Sequence, residues 1–205
     1  MIHIYIESKN DKTPEYIFIH TLLTQIHGTD YKERFKIFPV NGKDNLSNVS
    51  PFLIENELEE GINLIVFDAD TPLNGGGFAT RKQFLQEEKK RLNIQFELFL
   101  FPNHADDGDF EYLLEQIINP DHQTIIDCFS DFEACLRRPK DHNGDPLYVT
   151  PNRKGKIFTY ISSMNLPSNK RNKLGGGEWL FNDPKYWLLD HPYLKPLIEF
   201  LKKYK

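Results

Sequence analysis

Cysteine and long hydrophobic runs are scarce in this chain. Its 205 residues include only 2 cysteines, 2 methionines and 2 tryptophans, and even its most apolar stretches, such as residues 62–67, are short. A membrane-spanning helix needs about 20 consecutive apolar residues, so we expect no such helix. The N-terminal residues have neither the basic segment nor the small-residue cleavage site of a secretory signal. We therefore expect a cytoplasmic protein.

The scarcity of cysteine and the spacing of the histidines restrict the chemistry. Cys128 and Cys135 fall on one predicted helix, about 10 Å apart along its axis, which is too far for a disulfide. We expect both to be core thiols. The chain has no Cys-x-x-Cys pair, and His20, His27 and His122 have no spacing typical of a zinc site.

Aromatic and charged residues are plentiful. Aromatic residues make up 13% of the chain, with 16 Phe and 9 Tyr, which argues against intrinsic disorder. The net charge of −5 conceals an asymmetry, because residues 1–120 carry 20 acidic and 11 basic side chains whereas residues 121–205 carry 10 and 14. The asymmetry either reflects unevenly distributed solvated charges, which we favour, or a basic surface that binds a phosphate-bearing ligand.

Strand and helix patterns alternate over the first 118 residues. Short β-branched and aromatic segments predict four strands, at residues 2–6, 35–40, 62–67 and 94–101. Apolar residues at helical spacing predict helices beginning near Pro14, Pro51 and Phe78, and a fourth helix after Asp109. This order predicts an α/β, Rossmann-like fold with a mostly parallel four-stranded sheet.

The last third of the chain shows a different pattern. Beyond residue 120 no strong strand pattern occurs, and residues 125–136, 157–164 and 193–201 have apolar residues three and four apart. We therefore predict an α/β domain over residues 1–120 and a helical C-terminal extension over residues 121–205, packed on that domain.

Acidic side chains follow two of the predicted strands. Asp68 and Asp70 come directly after the third strand, and Glu7 ends the first. Parallel strands end at one edge of the sheet, and residues i and i+2 of an extended segment point the same way, so these carboxylates would converge on one hard cation. The alternative is that Asp68 and Asp70 act as turn formers or helix caps.

Further acidic residues flank this edge. Asp11, four residues after Glu7, is either an additional ligand or a surface residue near a helix start, and we slightly favour the surface residue. After the fourth strand, Asp107 and Asp109 are expected to be helix caps, whereas Glu111 falls in the first turn and would face the same edge. The residues thus predict a magnesium or manganese site for phosphate chemistry.

Residues 2–118 resemble the Toprim domain, the metal-dependent fold of topoisomerases, bacterial primases, recombination proteins and OLD-family nucleases. The resemblance rests on Glu7 after the first strand, residues 42–46 after the second, and Asp68-Ala69-Asp70 with the glycines 75–77 after the third. Residues 99–103 and 108–111 resemble an uncharacterised bacterial branch of Toprim-like proteins, and the C-terminal helical part of that branch resembles residues 121–205.

The resemblance implies roles for these residues. Glu7 would act as general acid/base or share in metal binding, Asp68 and Asp70 would hold Mg²⁺ (or Mn²⁺), and Asp11 matches an acidic residue of OLD-like members. Ser8 stands where the family usually has glycine. The implied function is metal-dependent phosphoryl transfer or phosphodiester hydrolysis on nucleic acid.

A second function class stays open. The net charge of −5 and the lack of a long basic stripe count against strong unaided DNA binding. The alternative is therefore a non-catalytic module that binds a nucleotide, a nucleic-acid end or a protein partner through the same metal and acidic edge. Aromatic residues between 179 and 187 either stack on bases or pack on the sheet, and we favour packing.

Overall fold

A parallel four-stranded sheet organises the molecule. The computed structural model describes residues 1–42 and 45–204 of the chain. The sheet has the order β2-β1-β3-β4, and every neighbouring pair is parallel. The α/β fold class with a parallel four-stranded sheet is thereby confirmed. The strands are β1 (Ile2–Ile6), β2 (Phe35–Pro39), β3 (Ile62–Asp68) and β4 (Glu97–Phe101).

Helices connect the strands and form the C-terminal part of the described chain. They are α1 (Pro14–His27), α2 (Leu46–Leu58), α3 (Phe78–Arg91), α4 (Phe110–Gln116), α5 (Gln123–Arg137), α6 (Arg153–Ser162), α7 (Ser168–Arg171) and α8 (Lys195–Lys202). None of the helices within the described residues is long and apolar enough to cross a membrane.

Two of the predicted strands and helices in the first 118 residues begin at a different residue from the one expected. Helix α2 begins before Pro51 rather than at it. Proline lacks the N–H that would bond to the carbonyl of Ser47, and the Ser50 hydroxyl donates to that carbonyl instead, at 2.8 Å. Strand β4 begins at Glu97, after the chain has left α3 with a hydrogen bond from the Ile94 amide to the Lys89 carbonyl.

The two faces of the sheet carry different cores. Alternate residues of β1 point to opposite sides, so Ile4 joins the larger core and Tyr5 the smaller one. The smaller core lies under α2 and α3, where Leu53 and Leu85 are buried. The larger core lies under α1 and α4 and continues into the C-terminal helices.

The C-terminal helices share the larger core with the sheet. Ile157 of α6 and Leu197 of α8 belong to the same cluster of buried residues as Ile4 and Leu64. The aromatic residues Trp179, Phe181, Tyr186 and Trp187 are also buried in it. The preference for packing over base stacking is therefore confirmed at these four positions.

The prediction of core thiols is wrong. Cys128 and Cys135 are both exposed on α5. The buried stripe of that helix is formed by Ile126 and Phe129, and at about 100° per residue the two cysteines fall off this stripe.

Candidate functional site

The order of the strands defines where a ligand would bind. β2 lies on one side of β1, whereas β3 and β4 lie on the other, so the chain changes its winding direction between β1 and β3. In open α/β sheets, ligands bind at the carboxyl ends of the strands next to such a switch point. Glu7 and Asp68 lie at the carboxyl ends of these two strands, where Ile6 pairs with Val66.

Glu7 and Asp68 are brought together as the sequence predicted. A Glu7 carboxylate oxygen accepts a hydrogen bond from the Asp68 backbone amide at 3.2 Å. The Asp68 carboxylate in turn accepts from the Phe110 amide at 2.8 Å, at the N-terminus of α4. Asp68 is therefore held between the end of the sheet and the start of a helix.

Helix α1 contributes a residue that the sequence reasoning missed. The Thr13 side chain caps α1 by accepting from the Tyr16 amide at 3.3 Å, and Pro14 follows at the first helical position. These residues place Glu15 in the first turn, and its Oε1 is buried without a hydrogen-bond partner. The sequence feature that could have identified Glu15 is its position as an acidic residue in the first turn of the helix after β1. The start of that helix faces the carboxyl edge of the sheet.

Helix α4 brings a fourth carboxylate. Asp109 caps α4 by accepting from the Tyr112 amide at 2.7 Å, as predicted, and Glu111 lies in the first turn. We call Glu7, Glu15, Asp68 and Glu111 the acidic cluster. Its members come from four elements or their ends, so only the folded chain assembles it.

The carboxylates of the acidic cluster disfavour one another's charge. Burial, and then the negative charges of Glu7, Glu15 and Glu111, hold the pKa of Asp68 well above its ordinary value. Burial, with the charges of Glu7 and Glu111, likewise holds the pKa of Glu15 well above its ordinary value, although a hydrogen bond from the Glu7 backbone and the charge of Lys154 oppose the shift.

Glu111 behaves in the same way. Burial raises its pKa and the charge of Asp109 adds to the effect, while the charges of Lys154 and Arg153 counteract it. The acidic cluster therefore combines repulsion among partly buried carboxylates with the positive charge of α6.

The expectation of an extended backbone through residues 68–70 is wrong. Asp70 has a positive φ of 60°, in the left-handed region, and its carbonyl accepts from the Gly108 amide at 2.8 Å. Its carboxylate pairs with the buried Arg81 at 3.2 Å. A side chain on Gly76 would collide with the Cβ of Asp70, so the glycine allows this tight turn. A cation-binding role for Asp70 stays a prediction.

Asp11 and the motif after β2 are placed differently. Asp11 is exposed in the turn before α1, and after burial its charge is the second cause that raises the pKa of Tyr16. Within the motif at residues 42–46, Lys43 and Asp44 lie outside the described residues. Ser8, in the usual glycine position, is buried, and its hydroxyl donates to the Asn10 carbonyl at 3.3 Å.

Asp106 and Asp107, in the loop after β4, accept hydrogen bonds from residues distant in sequence. Asp107 accepts from the Phe78 amide at 2.7 Å and so caps α3, a helix distant in sequence, rather than its own. Asp106 accepts from the Tyr193 hydroxyl at 3.1 Å. These contacts give both aspartates structural roles.

Basic residues of α6 flank the acidic cluster. The Arg153 guanidinium pairs with Asp109 at 3.0 Å and lies 4.9 Å from the centre of the Tyr112 ring. Lys156 pairs with Glu115 at 2.6 Å. Lys154, by contrast, is exposed, and its positive charge lowers the pKa of both Glu15 and Glu111.

The acidic cluster suits a divalent cation in its chemistry. Carboxylate oxygens are the ligands that Mg²⁺ and Mn²⁺ prefer, and the buried Oε1 of Glu15 lacks a partner. As the side chains are placed, no three acidic, histidine or cysteine groups among residues 1–42 and 45–204 already form a metal-holding group. Binding would therefore require the carboxylates to rotate towards a shared cation.

The sheet topology and the acidic edge define the molecule as an α/β protein with a parallel, Rossmann-like sheet. Residues 2–204 match the model of DUF3226, a family described as proteins of unknown function. The chain belongs to this family. No curated protein and no solved structure matches the chain significantly.

Proposed function

We propose that this protein is a Toprim-like enzyme that performs divalent-cation-dependent phosphoryl transfer or phosphodiester hydrolysis on nucleic acid. The observation that carries the proposal is the buried, unpartnered carboxylate oxygen of Glu15 within the acidic cluster. An unsatisfied buried acceptor costs about 1–3 kcal/mol, and a cation bound among the carboxylates would remove that cost.

The acidic cluster would hold the cation. Glu7 and Asp68 lie at the ends of adjacent strands and would be the central ligands, with Glu15 and Glu111 approaching from the helices. When bound, Mg²⁺ or Mn²⁺ would stabilise the negative charge that develops on a phosphate undergoing attack.

The other residues would prepare the site for that reaction. Glu7 would have a second role, implied by the Toprim resemblance: instead of binding the cation it would take up or release a proton. The α4 amide that binds Asp68 fixes the orientation of that carboxylate. Lys154 is exposed and its charge lowers the pKa of Glu15 and Glu111, and it would attract the phosphate.

Thermal unfolding with Mg²⁺, Mn²⁺ or Ca²⁺ tests the cation site directly. Wild type should gain stability with cation concentration, by about 2.7 kcal/mol at a hundredfold excess over Kd. Asp68→Asn should lose this gain. The exposed Glu57→Gln on α2 serves as the control and should keep it. If none of the three cations changes the thermal stability of wild type, the proposal is contradicted.

Cleavage assays with Mn²⁺ follow on the same variants. Glu7→Gln and Asp68→Asn should abolish cleavage of plasmid and single-stranded DNA, whereas Glu57→Gln should leave it intact. Cleavage that survives in both cluster variants would remove the catalytic role from the acidic cluster.

One observation favours the non-catalytic alternative. Asp70, which the resemblance makes a second cation ligand, is paired with the buried Arg81. If this ion pair persists when ligand binds, the cluster would bind a cation and a nucleotide or nucleic-acid end without turning it over. Cation-dependent stabilisation and DNA retention with no cleavage by wild type would support this alternative.

A further inference from the structure

A cleft lies between the start of α1, where Pro14 immediately precedes Glu15 of the acidic cluster, helix α6 and the glycine-rich segment 175–177. It has a volume of about 410 Å³, within the usual range for small-ligand sites. We call it the glycine–lysine cleft. Residues that line it include Lys12, Lys154, Gly155, Phe158, Gly175 and Gly177.

Two backbone segments in the wall of the cleft, at Gly177 and at residues 12–14, lie very close to each other. Gly177 has a φ of +83°, and a Cβ there would lie 2.8 Å from the Pro14 nitrogen and 2.9 Å from the Lys12 carbonyl oxygen. Only glycine allows the two segments to meet in this way. This contact ties the glycine-rich segment to the residues that immediately precede Glu15.

Gly175 leaves the cleft open. A Cβ at this position would meet no atom within 4 Å. The neighbouring Gly176 is equally uncrowded but is not a lining residue of the cleft. The two glycines therefore form a natural pair of test and control positions.

The cleft also offers an aromatic face. Phe158 is 40% exposed and lines the cleft. Its ring centre lies 6.2 Å from that of the buried Trp179, with the two ring planes tilted by 51°. A partly exposed aromatic ring of this kind can stack on a base.

Two lysines supply positive charge without an acidic partner. Lys12 and Lys154 line the cleft and are exposed, and neither takes part in an ion pair with any described residue. Arg153 and Lys156 on the same helix are both neutralised by carboxylates. The cleft also includes Pro14, the residue before Glu15, and the charge of Lys154 lowers the pKa of Glu15 and Glu111, so a phosphate at Lys154 would be held on the side of the cleft that leads to the acidic cluster.

We propose that the glycine–lysine cleft binds one nucleoside phosphate unit, with the base stacked on Phe158 and the phosphate between Lys12 and Lys154. The proposal deepens the proposed function and rests on it, since it names the substrate segment that would be presented to the acidic cluster. The unit would come from a single-stranded nucleic acid or from a free nucleotide, which share this chemistry.

Fluorescence anisotropy tests the cleft with a labelled oligodeoxythymidylate of about ten nucleotides, in Ca²⁺ and in EDTA. Gly175→Leu fills the cleft and should raise Kd about tenfold or more. Phe158→Ala should do the same by removing the stacking face. Gly176→Leu and the exposed Phe132→Ala on α5 are the matched controls and should bind as wild type does.

Competition with ATP identifies the source of the unit. Displacement by ATP at a concentration close to the oligonucleotide Kd indicates a free nucleotide, and displacement only at a concentration about tenfold higher or more indicates a strand. The proposal is overturned if wild type binds neither the oligonucleotide nor ATP. It is also overturned if Gly175→Leu and Phe158→Ala both bind the oligonucleotide as tightly as their control variants do.

The cation titration separates the two proposals. If the cations leave stability unchanged but Gly175→Leu still weakens binding in EDTA, the cleft is supported and the proposed function is not. If wild type and Gly175→Leu both gain stability from Mg²⁺ but bind the oligonucleotide equally, the cleft is overturned and the cation site stands.

Discussion

Replacing Glu15 by glutamine should make the cation-free protein more stable. Glu15 sits in the first turn of α1 with a buried oxygen that has no partner, and its charge is opposed by Glu7 and Glu111. Glutamine keeps the shape, carries no charge at any pH and offers an N–H donor to the neighbouring carboxylates. The cost of an unsatisfied buried polar group is about 1–3 kcal/mol, so we expect Glu15→Gln to recover about that much in EDTA.

The expected change in unfolding free energy is large enough to measure by thermal unfolding. For a chain of this length, each kcal/mol shifts the unfolding midpoint by roughly 2–4 °C, which differential scanning calorimetry resolves easily. Glu57→Gln on the exposed face of α2 is the control and should change stability by less than about 0.5 kcal/mol. The order should reverse with Mg²⁺ present, because wild type would gain from the cation and Glu15→Gln would gain less.

One result would refute this reasoning. If Glu15→Gln is less stable than wild type in EDTA by about 1 kcal/mol or more, the carboxylate is satisfied in the folded protein. The acidic cluster would then be a structural feature, and the argument for a cation there would lose its main support.

Three further predictions concern charge and packing. Burial and like charges raise the pKa values of Asp68 and Glu15, so the folded state keeps protons that the unfolded state releases. In urea unfolding with EDTA, wild type should therefore lose stability relative to Glu15→Gln as the pH rises above about 4. Stability that depends on pH in the same way in both proteins would contradict this. Gly177→Ala should cost about 1–3 kcal/mol in the same assay because of its positive φ and the close backbone, whereas an unchanged midpoint would mean that the segments can separate freely. Leu197→Ala on α8 should cost about 2–5 kcal/mol and preserve a single unfolding transition, since this residue shares its core with the sheet; two separate transitions would argue against a shared core.

Much of the fold was predictable because its signals are local. Three such signals each act within a few residues: the nearly continuous apolar run of β3, the threonine and proline at the start of α1, and the aspartate at the start of α4. Alternation of such elements also predicts parallel strands, because a parallel pair needs a long crossover connection. The boundary of α2 was less predictable, since a serine hydroxyl compensates for Pro51 inside the helix.

The candidate site was predictable where it depends on strand ends and on the first turn of α4. Glu7 and Asp68 meet because adjacent parallel strands end at one edge. Asp70 departs from the prediction because the backbone turns left-handed there and Arg81, eleven residues later, captures its carboxylate. A spacing rule for extended chain has no means of detecting such a turn.

The sequence by itself determined the order of strands and helices, the parallel sheet and the two acidic strand ends, because hydrophobic period, capping and turn residues act over short distances. Only the tertiary structure decided that Glu15 joins Glu7, Asp68 and Glu111, that the charge of Lys154 on α6 acts on Glu15 and Glu111, and that Gly177 packs closely against the start of α1. These contacts join residues far apart in the chain, and their energies arise from burial and charge that exist only after the chain has packed.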